Sequence, residues 1–349
     1  MGNETFSHSD NVTVNEEYIF NRTDVKVIFI ILYTVVFVPC FLGNMMVILV
    51  VTFSRRLRSN TNFFLANLAL ADFCVGIFCI YQTLFNYLIN SWLFGDFLCK
   101  LYMFVHAFSY TASVLILVVV CVERYLAIVY PIKCRSVLTR SRLQMVIGLV
   151  WTVAAIYASP RFFYVETLRH FLNTGGMNII CVGNVHKHNK KLVDAVNLVF
   201  LYLFPLVLMC CLYLKLGVGL WKSSAALVPF ETSNFFRMLI AMVTIFAVCN
   251  LPQQARIAWR IWGYNYDLAS NFSTLLTLST FLISYLNSCL NPLLYAFLSR
   301  NFQRGMRELL IRGKQRQRSN VLAMVYTKED TTSRQVLRFH SFGRSSSGK

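Results

Sequence analysis

Apolar residues along this chain gather in long blocks separated by short polar stretches. Seven blocks stand out, at roughly 27–53, 61–89, 98–122, 143–164, 192–220, 236–262 and 272–298. Each is as long as the roughly 20 residues that an α-helix needs to cross a bilayer core. The pattern predicts an all-α membrane protein, a seven-transmembrane helix bundle over residues 26–299. Residues 1–25 read as a polar outer tail and 313–349 as a disordered inner one. Between bundle and tail, 300–312 reads as an amphipathic helix lying on the inner leaflet. Phe302, Met306, Leu309 and Leu310 fall on one face, and Arg304, Arg307 and Arg312 fall elsewhere. The first 24 residues are polar and acidic, so the first span is expected to act as signal anchor without a cleavable signal peptide.

Composition agrees. Of 349 residues, 56% are hydrophobic and 14% charged, too few charges for a soluble domain of this size. The net charge of +18 would suggest nucleic acid if it were spread evenly, but it is not. Acids dominate residues 1–24, and bases dominate the segment after the last span. Arg55, Arg56 and Arg58, then Lys133, Arg135, Arg140 and Arg142, fill the first two connections on the tail's side. The positive-inside rule therefore puts the N-terminus outside and the C-terminus in the cytoplasm, with no nucleic-acid partner. Sequons at Asn3, Asn11, Asn21 and Asn271 all fall on the outer side and are candidate glycosylation sites. Of eleven cysteines, only Cys99 and Cys181 face the oxidising side in this topology, which suggests one disulfide tying the 165–190 loop to the third helix. No Cys/His spacing suggests a metal site. No nucleophile–base pair or phosphate loop suggests an enzyme.

Polar residues at membrane depth are expensive and therefore informative. Asn44, Asn67, Asp72, Asn287, Ser288, Asn291 and Tyr295 lie inside the blocks. For Asn67 an interhelical hydrogen bond is the plainer reading. Asp72 requires a proton, water or a counterion, and neighbouring hydroxyl and amide oxygens would suit a small hard cation such as Na⁺. Glu123 and Arg124 end the third block. A surface ion pair is the plainer reading, and an arginine with two alternative partners is the switch reading. The sixth block reads FAVCNLPQQARIAW over 246–259. Pro252 costs about 3 kcal/mol in a helix interior, and Arg256 costs at least roughly 2.5 kcal/mol in hydrocarbon. The segment reads as a helix with a weak point, beyond which its polar residues face a water-filled pocket.

Taken together and in order, GNMMVILVV, NLALAD, WLFGDFLC, ERYLAIVYP, Trp151 with Pro160, Pro205 with Tyr213, FAVCNLP and NPLLY resemble the rhodopsin-like (class A) G protein-coupled receptors. The resemblance covers about 27–311. It implies a switch at Arg124, held by Glu123 in the Glu123-Arg124-Tyr125 motif and released toward Tyr213 and Tyr295. It implies a sodium pocket of Asp72, Ser113, Asn287, Ser288 and Asn291, braced by Asn44, with sodium as the candidate allosteric ion. It implies a contact triad of Pro205, Val114 and Phe246, a Cys99–Cys181 disulfide, and a pivot at Pro252. Pro292 and Asn291 belong to the span-seven motif. The expected partners are a heterotrimeric G protein, arrestin, receptor kinases and membrane lipids, at the plasma membrane. Two departures matter. Asn250 stands where many relatives carry a tryptophan, and the 223–236 connection lacks a basic cluster. No cysteine follows the amphipathic helix to carry a palmitoyl anchor.

Ligand class rests on the upper pocket. His106 stands where amine receptors carry an aspartate, and Tyr285 where opsins carry a lysine. Gln82, His106, Gln253, Gln254, Arg256 and Arg260, with Tyr285, suit a polar peptide bound among spans two, three, six and seven. Arg161, Arg169, Lys187, Lys190 and Lys191 add positive charge around the second outer loop, and Thr174-Gly175-Gly176 suits a hairpin there. The runs SRRLRSNTNFFLANLALADFCVGIFCIYQTLFNYL and NSCLNPLLYAFLSRNFQRGMREL look most like insect trissin receptors, neuropeptide receptors with a cysteine-rich peptide ligand. A non-peptide small-molecule or lipid receptor of the same fold is the alternative. A proton-coupled transporter using Asp72 and His106 is a second, against which no internal repeat or paired broken helices are visible.

Overall fold

Hydrocarbon offers backbone groups no hydrogen-bond partners, so a segment that crosses it must pair its own. In the computed structural model seven helical spans do so, at Thr23–Phe53, Asn62–Leu88, Gly95–Val129, Arg140–Tyr164, Lys190–Val218, Phe236–Trp262 and Asn271–Leu298. They are called spans one to seven below. The structure describes residues 18–54, 60–89, 91–130, 132, 134, 136, 138–171, 177–184, 189–222, 230–263, 266–267, 270–300, 302–309 and 311. The 1–17 tail with Asn3 and Asn11, most of both basic connections, and 312–349 lie outside them.

Each span covers its hydrophobic block, and several run beyond it. Span three continues from 122 to Val129, so Glu123 and Arg124 sit within helix rather than after it. Span two breaks at Cys79 into Asn60–Phe78 and Ile80–Leu88. No proline marks that break, which is why the hydrophobic pattern does not reveal it. Gln82 Nε2 donates to the Ile77 carbonyl across it at 3.2 Å.

Prolines lie inside spans one, six and seven at Pro39, Pro252 and Pro292. Pro205 follows a π-helical turn at Val199–Leu203 in span five. A proline removes one N–H, so the carbonyl four residues back needs another donor. Neighbouring spans supply two of these. Asn44 Nδ2 donates to the Ser288 carbonyl at 3.0 Å, answering Pro292. The Tyr110 hydroxyl donates to the Leu201 carbonyl at 3.4 Å, answering Pro205.

Strands β1 (Val165–Phe171) and β2 (Met177–Gly183) form the antiparallel hairpin expected between spans four and five, with Thr167 opposite Cys181. Its turn lies outside the described residues. Cys181 is disulfide-bonded to Cys99 at the start of span three, with Cα atoms 5.6 Å apart. Two further bonds fasten β2 to the connection between spans two and three: Trp92 N–H donates to the Ile179 carbonyl, and Ile179 N–H to Ser91 Oγ.

At the opposite end, residues 302–309 are helical. Phe302 is buried, Met306 and Leu309 are half-buried, and Arg304 and Arg307 are exposed, as an amphipathic helix requires. Ser54 Oγ donates to Glu308 Oε2 at 3.3 Å, joining this helix to the end of span one.

Spans one and seven approach closely at Gly43, where an added Cβ would lie 2.9 Å from Pro292 Cβ. Gly43→Val should lower the thermal unfolding midpoint by an amount equivalent to about 1–3 kcal/mol. Gly148→Val, where a Cβ meets nothing within 4 Å, should not lower it; a thermal unfolding scan of the purified protein compares the two.

Candidate functional site

Functional side chains occupy three levels of the bundle. In the middle stands Asp72 of span two, 0% exposed. Its Oδ1 accepts from Ser288 Oγ at 2.7 Å and from Ser113 Oγ at 3.4 Å, and its Oδ2 accepts from Asn291 Nδ2 at 2.8 Å. Spans two, three and seven thus meet on one carboxylate. Asn44 Nδ2 also holds its own Cys40 carbonyl, at 2.8 Å. The side-chain oxygens of Asn287 and Asn44 are buried without a partner among the described residues. One carboxylate surrounded by hydroxyl and amide oxygens is the donor set of a hard monovalent cation. Asn67 plays the structural part expected of it, accepting from Trp151 Nε1 at 3.0 Å.

At the far end from the hairpin, Arg124 grips Glu123 through both Nε and Nη2. Glu123 is 6% exposed and the Arg124 side chain 21%, so this is a half-buried pair rather than a surface one. Tyr213, which the resemblance sets opposite Arg124, instead bonds Cys121 Sγ at 2.7 Å. The Tyr295 hydroxyl is buried without a partner among the described residues. Tyr125 packs edge-on against Tyr130. Val114 and Phe246 share the buried core, and Pro205 is also buried.

One turn outward of the Asp72 cluster lies Asn250, 1% exposed. Its Nδ2 donates to the Phe246 carbonyl at 2.9 Å, and its Oδ1 accepts from Ser284 Oγ of span seven at 2.8 Å. Two residues before Pro252, where backbone pairing is weakest, a side-chain bond ties span six to span seven.

Above this, toward the hairpin, a cavity opens. His106 and Tyr110 of span three line it, with Tyr157 and Arg161 of span four and Asn197 of span five. Asn250, Gln253, Gln254 and Ile257 of span six and Phe281 and Ser284 of span seven also line it, and Ala107, Thr111 and Leu201 complete it. Its walls differ from those predicted. Span two contributes none of the lining: Gln82 folds back on its own helix at the Cys79 break. Tyr285 stands behind the wall, its hydroxyl 2.6 Å from Thr83 Oγ1 and its ring edge-on to His106. Spans four and five enter instead. Tyr157 and Arg161 lie one turn apart, and the Tyr157 hydroxyl bonds Asn197 Oδ1. An asparagine in the apolar 192–220 block was the signal that could have found this wall.

The two arginines of span six part company. Arg260 forms an ion pair with Asp194 of span five. Arg256 is 6% exposed, and its hydrogen-bond partners among the described residues are neutral. Nε donates to Thr280 Oγ1 at 3.1 Å and Gln253 Oε1 at 3.4 Å, and Nη1 donates to Thr277 Oγ1 at 3.2 Å and the Tyr266 hydroxyl at 3.4 Å. The guanidinium also lies 5.7 Å from the Phe281 ring centroid. Burial alone would push the Tyr266 phenol up, but hydrogen bonding and the charge of Arg256 outweigh it and hold the phenol below its ordinary value. Of the described sequons, Asn21 is exposed in a short 3₁₀ turn. Asn271 opens span seven, and its Oδ1 accepts from the Ile19 N–H at 2.9 Å.

Residues 43–295 match the seven transmembrane receptor (rhodopsin family). The chain is 37% identical to the trissin receptor of Drosophila melanogaster, covering 87% of this chain and 70% of that one. It is 33% identical to the allatostatin-A receptor of Bombyx mori over 77% and 75% of the two chains. It is 30% identical to a QRFP-like peptide receptor of Branchiostoma floridae over 82% and 78%.

The Asn250–Ser284 bond makes a checkable claim. Asn250→Ala and Ser284→Ala should each lower stability by about 1–3 kcal/mol. The double variant should lose less than the sum, with a coupling of about 0.5–3 kcal/mol. Thermal unfolding of the four proteins measures it, and strict additivity would contradict the bond.

Proposed function

The chain belongs to the rhodopsin family of seven transmembrane receptors, and we propose that it is the receptor for an extracellular neuropeptide of the trissin type. Members of this family are non-enzymatic signalling receptors that span the membrane repeatedly. The observation that carries the peptide reading is the cavity's lining of amides, phenols and a guanidinium, beneath a disulfide-fastened hairpin. Those polar groups offer hydrogen bonds to a peptide backbone, while Ala107, Leu201, Ile257 and Phe281 leave apolar wall for its side chains. One of the named relatives is a peptide receptor by name, and another is named as the receptor for trissin. In this reading the hairpin and N-terminus face outward, in keeping with the basic residues at the other end.

Signalling then follows from the three levels. A peptide entering the cavity reaches Gln253, Gln254 and Asn250 on one side of span six and Phe281 and Ser284 on span seven. Binding strains the Asn250–Ser284 bond and shifts a resting–active equilibrium. Span six bends at Pro252, and its cytoplasmic half swings. Arg124 leaves Glu123 for Tyr213 and for Tyr295, whose hydroxyl awaits a partner. The opened crevice admits a heterotrimeric G protein. Arrestin and receptor kinases would act on the Ser/Thr of 331–333 and 341–347. The Asp72 oxygens, with Ser113, Ser288, Asn291 and Asn287, would hold Na⁺, which supplies the positive charge that the buried carboxylate lacks.

A calcium and cyclic-AMP screen of cells expressing the chain, against a neuropeptide library that includes disulfide-bonded peptides, tests the ligand class. A response to a cysteine-rich peptide is expected, and a response to lipids or amines alone would overturn it. Glu123→Gln removes one charge from the Arg124 pair, and hydrogen bonds between charged groups are worth about 1.5–3 kcal/mol. Basal nucleotide exchange in membranes should rise about tenfold in that variant; an unchanged basal rate would contradict the resting role of the pair.

A further inference from the structure

Between spans five and six, at the end away from the hairpin, lies a groove of about 670 Å³ at the level of Tyr213. That volume is within the range of pockets that enclose a small ligand. An apolar surface is ordinary on the outside of a span, where it faces hydrocarbon. A concave one with its own floor is not. Leu214 and Val218 of span five and Ile240 and Thr244 of span six stand exposed along the rim, and Tyr213 and Val243 lie buried below them. Gly217 gives the groove its depth. A Cβ built there meets only Phe236 Cζ within 4 Å, at 3.9 Å, so a larger residue has room there.

The polar groups of this wall are already satisfied or weak. The Tyr213 hydroxyl bonds Cys121 Sγ at 2.7 Å. Thr244 Oγ1 donates to the Ile240 carbonyl of its own helix at 2.9 Å. Cys210 adds a thiol, a weak donor and a weak acceptor. A polar occupant would therefore lose its hydration and gain only weak hydrogen bonds in return. A hydrocarbon chain has no such cost. Charge flanks the groove instead. Lys215 follows Leu214 in the sequence and Arg237 follows Phe236, and both are exposed. Each belongs to the end of its span nearest the basic connections, where a long cationic side chain reaches the headgroup layer.

We propose that this groove binds an acyl chain of an anionic phospholipid, whose headgroup meets Lys215 and Arg237. A neutral phospholipid brings the same hydrocarbon without the charge attraction, and a sterol brings no anion either. Tyr213 forms part of the floor while it bonds Cys121, so the groove belongs to the resting arrangement of that tyrosine. The site lies outside the ligand cavity. It rests on the membrane reading of the chain and not on the identity of the extracellular ligand.

The test uses the full-length receptor, without added peptide, in nanodiscs of phosphatidylcholine. A small fraction of the lipid is phosphatidylserine with a photoreactive diazirine midway along one acyl chain. After irradiation, digestion and mass spectrometry locate the label. It should concentrate on the segments that hold Leu214, Val218, Ile240 and Thr244. Phosphatidylcholine with the same photoreactive chain should label them about fivefold less, the effect of one basic residue at an anionic surface. Gly217→Phe, which fills the groove, should reduce the label there to the level on the outer faces of the other spans. Label spread evenly over all spans, a groove label that survives Gly217→Phe, or equal labelling by the two headgroups would overturn the proposal. So would a photoreactive sterol that displaces the phosphatidylserine label. Should Gly217→Phe fail to fold, the double variant Lys215→Gln and Arg237→Gln changes only exposed residues and still decides. Its preference for phosphatidylserine should vanish, and a preference that survives would overturn the proposal.

Discussion

A single carboxylate at the centre of the bundle sets the terms for the rest of the structure. Asp72 is shut away from solvent and joined to Ser113, Ser288 and Asn291, so it fixes span two against spans three and seven. A charged group there, with only one carboxylate in the cluster, must be neutralised by a proton or a cation. Its partners Ser288 and Asn291 flank the turn that Pro292 interrupts. The Asn44 side chain that satisfies the Ser288 carbonyl ties in span one. Four of the seven spans therefore depend on a few atoms around Asp72.

The same economy recurs at Pro205. Tyr110 answers the carbonyl opposite Pro205, and Tyr110 also lines the outer cavity. Tyr202 donates to the Ala247 carbonyl, next to the Val248 carbonyl that Pro252 frees, and ties span five to span six there. Near Pro252 the side chain of Asn250, not the backbone, carries the tie to span seven. The breaks at Pro205 and Pro292 are thus placed where neighbouring side chains repair them, and a ligand that competes for Tyr110 changes the repair at Pro205. Asn250 couples the outer cavity to the bend in span six without any long chain of contacts.

The spans and the amphipathic helix were legible in the sequence because hydrocarbon imposes a length and a periodicity that runs of Leu, Ile, Val and Phe record directly. The disulfide was legible for a different reason: only Cys99 and Cys181 fall on one side of the predicted membrane. The Asp72 cluster was legible because carboxylates and amides are rare at membrane depth. Less visible was anything that depends on which neighbour a side chain faces. Gln82 looked like a pocket residue and folds onto its own broken helix, and no proline announces the Cys79 break. Arg256 and Arg260 looked alike, four residues apart, and only the position of Asp194 separates them. Tyr157 and Asn197 were overlooked because a tyrosine and one asparagine within long apolar spans are compatible with ordinary packing.

Sodium dependence of stability tests the central role of Asp72 most directly. Thermal unfolding of the purified receptor is measured in sodium chloride and in N-methylglucamine chloride, for the native protein and for Asp72→Asn. The account predicts a higher midpoint in sodium for the native protein and no difference between the two salts for Asp72→Asn. A sodium effect of equal size in both proteins, or none in the native one, would contradict it.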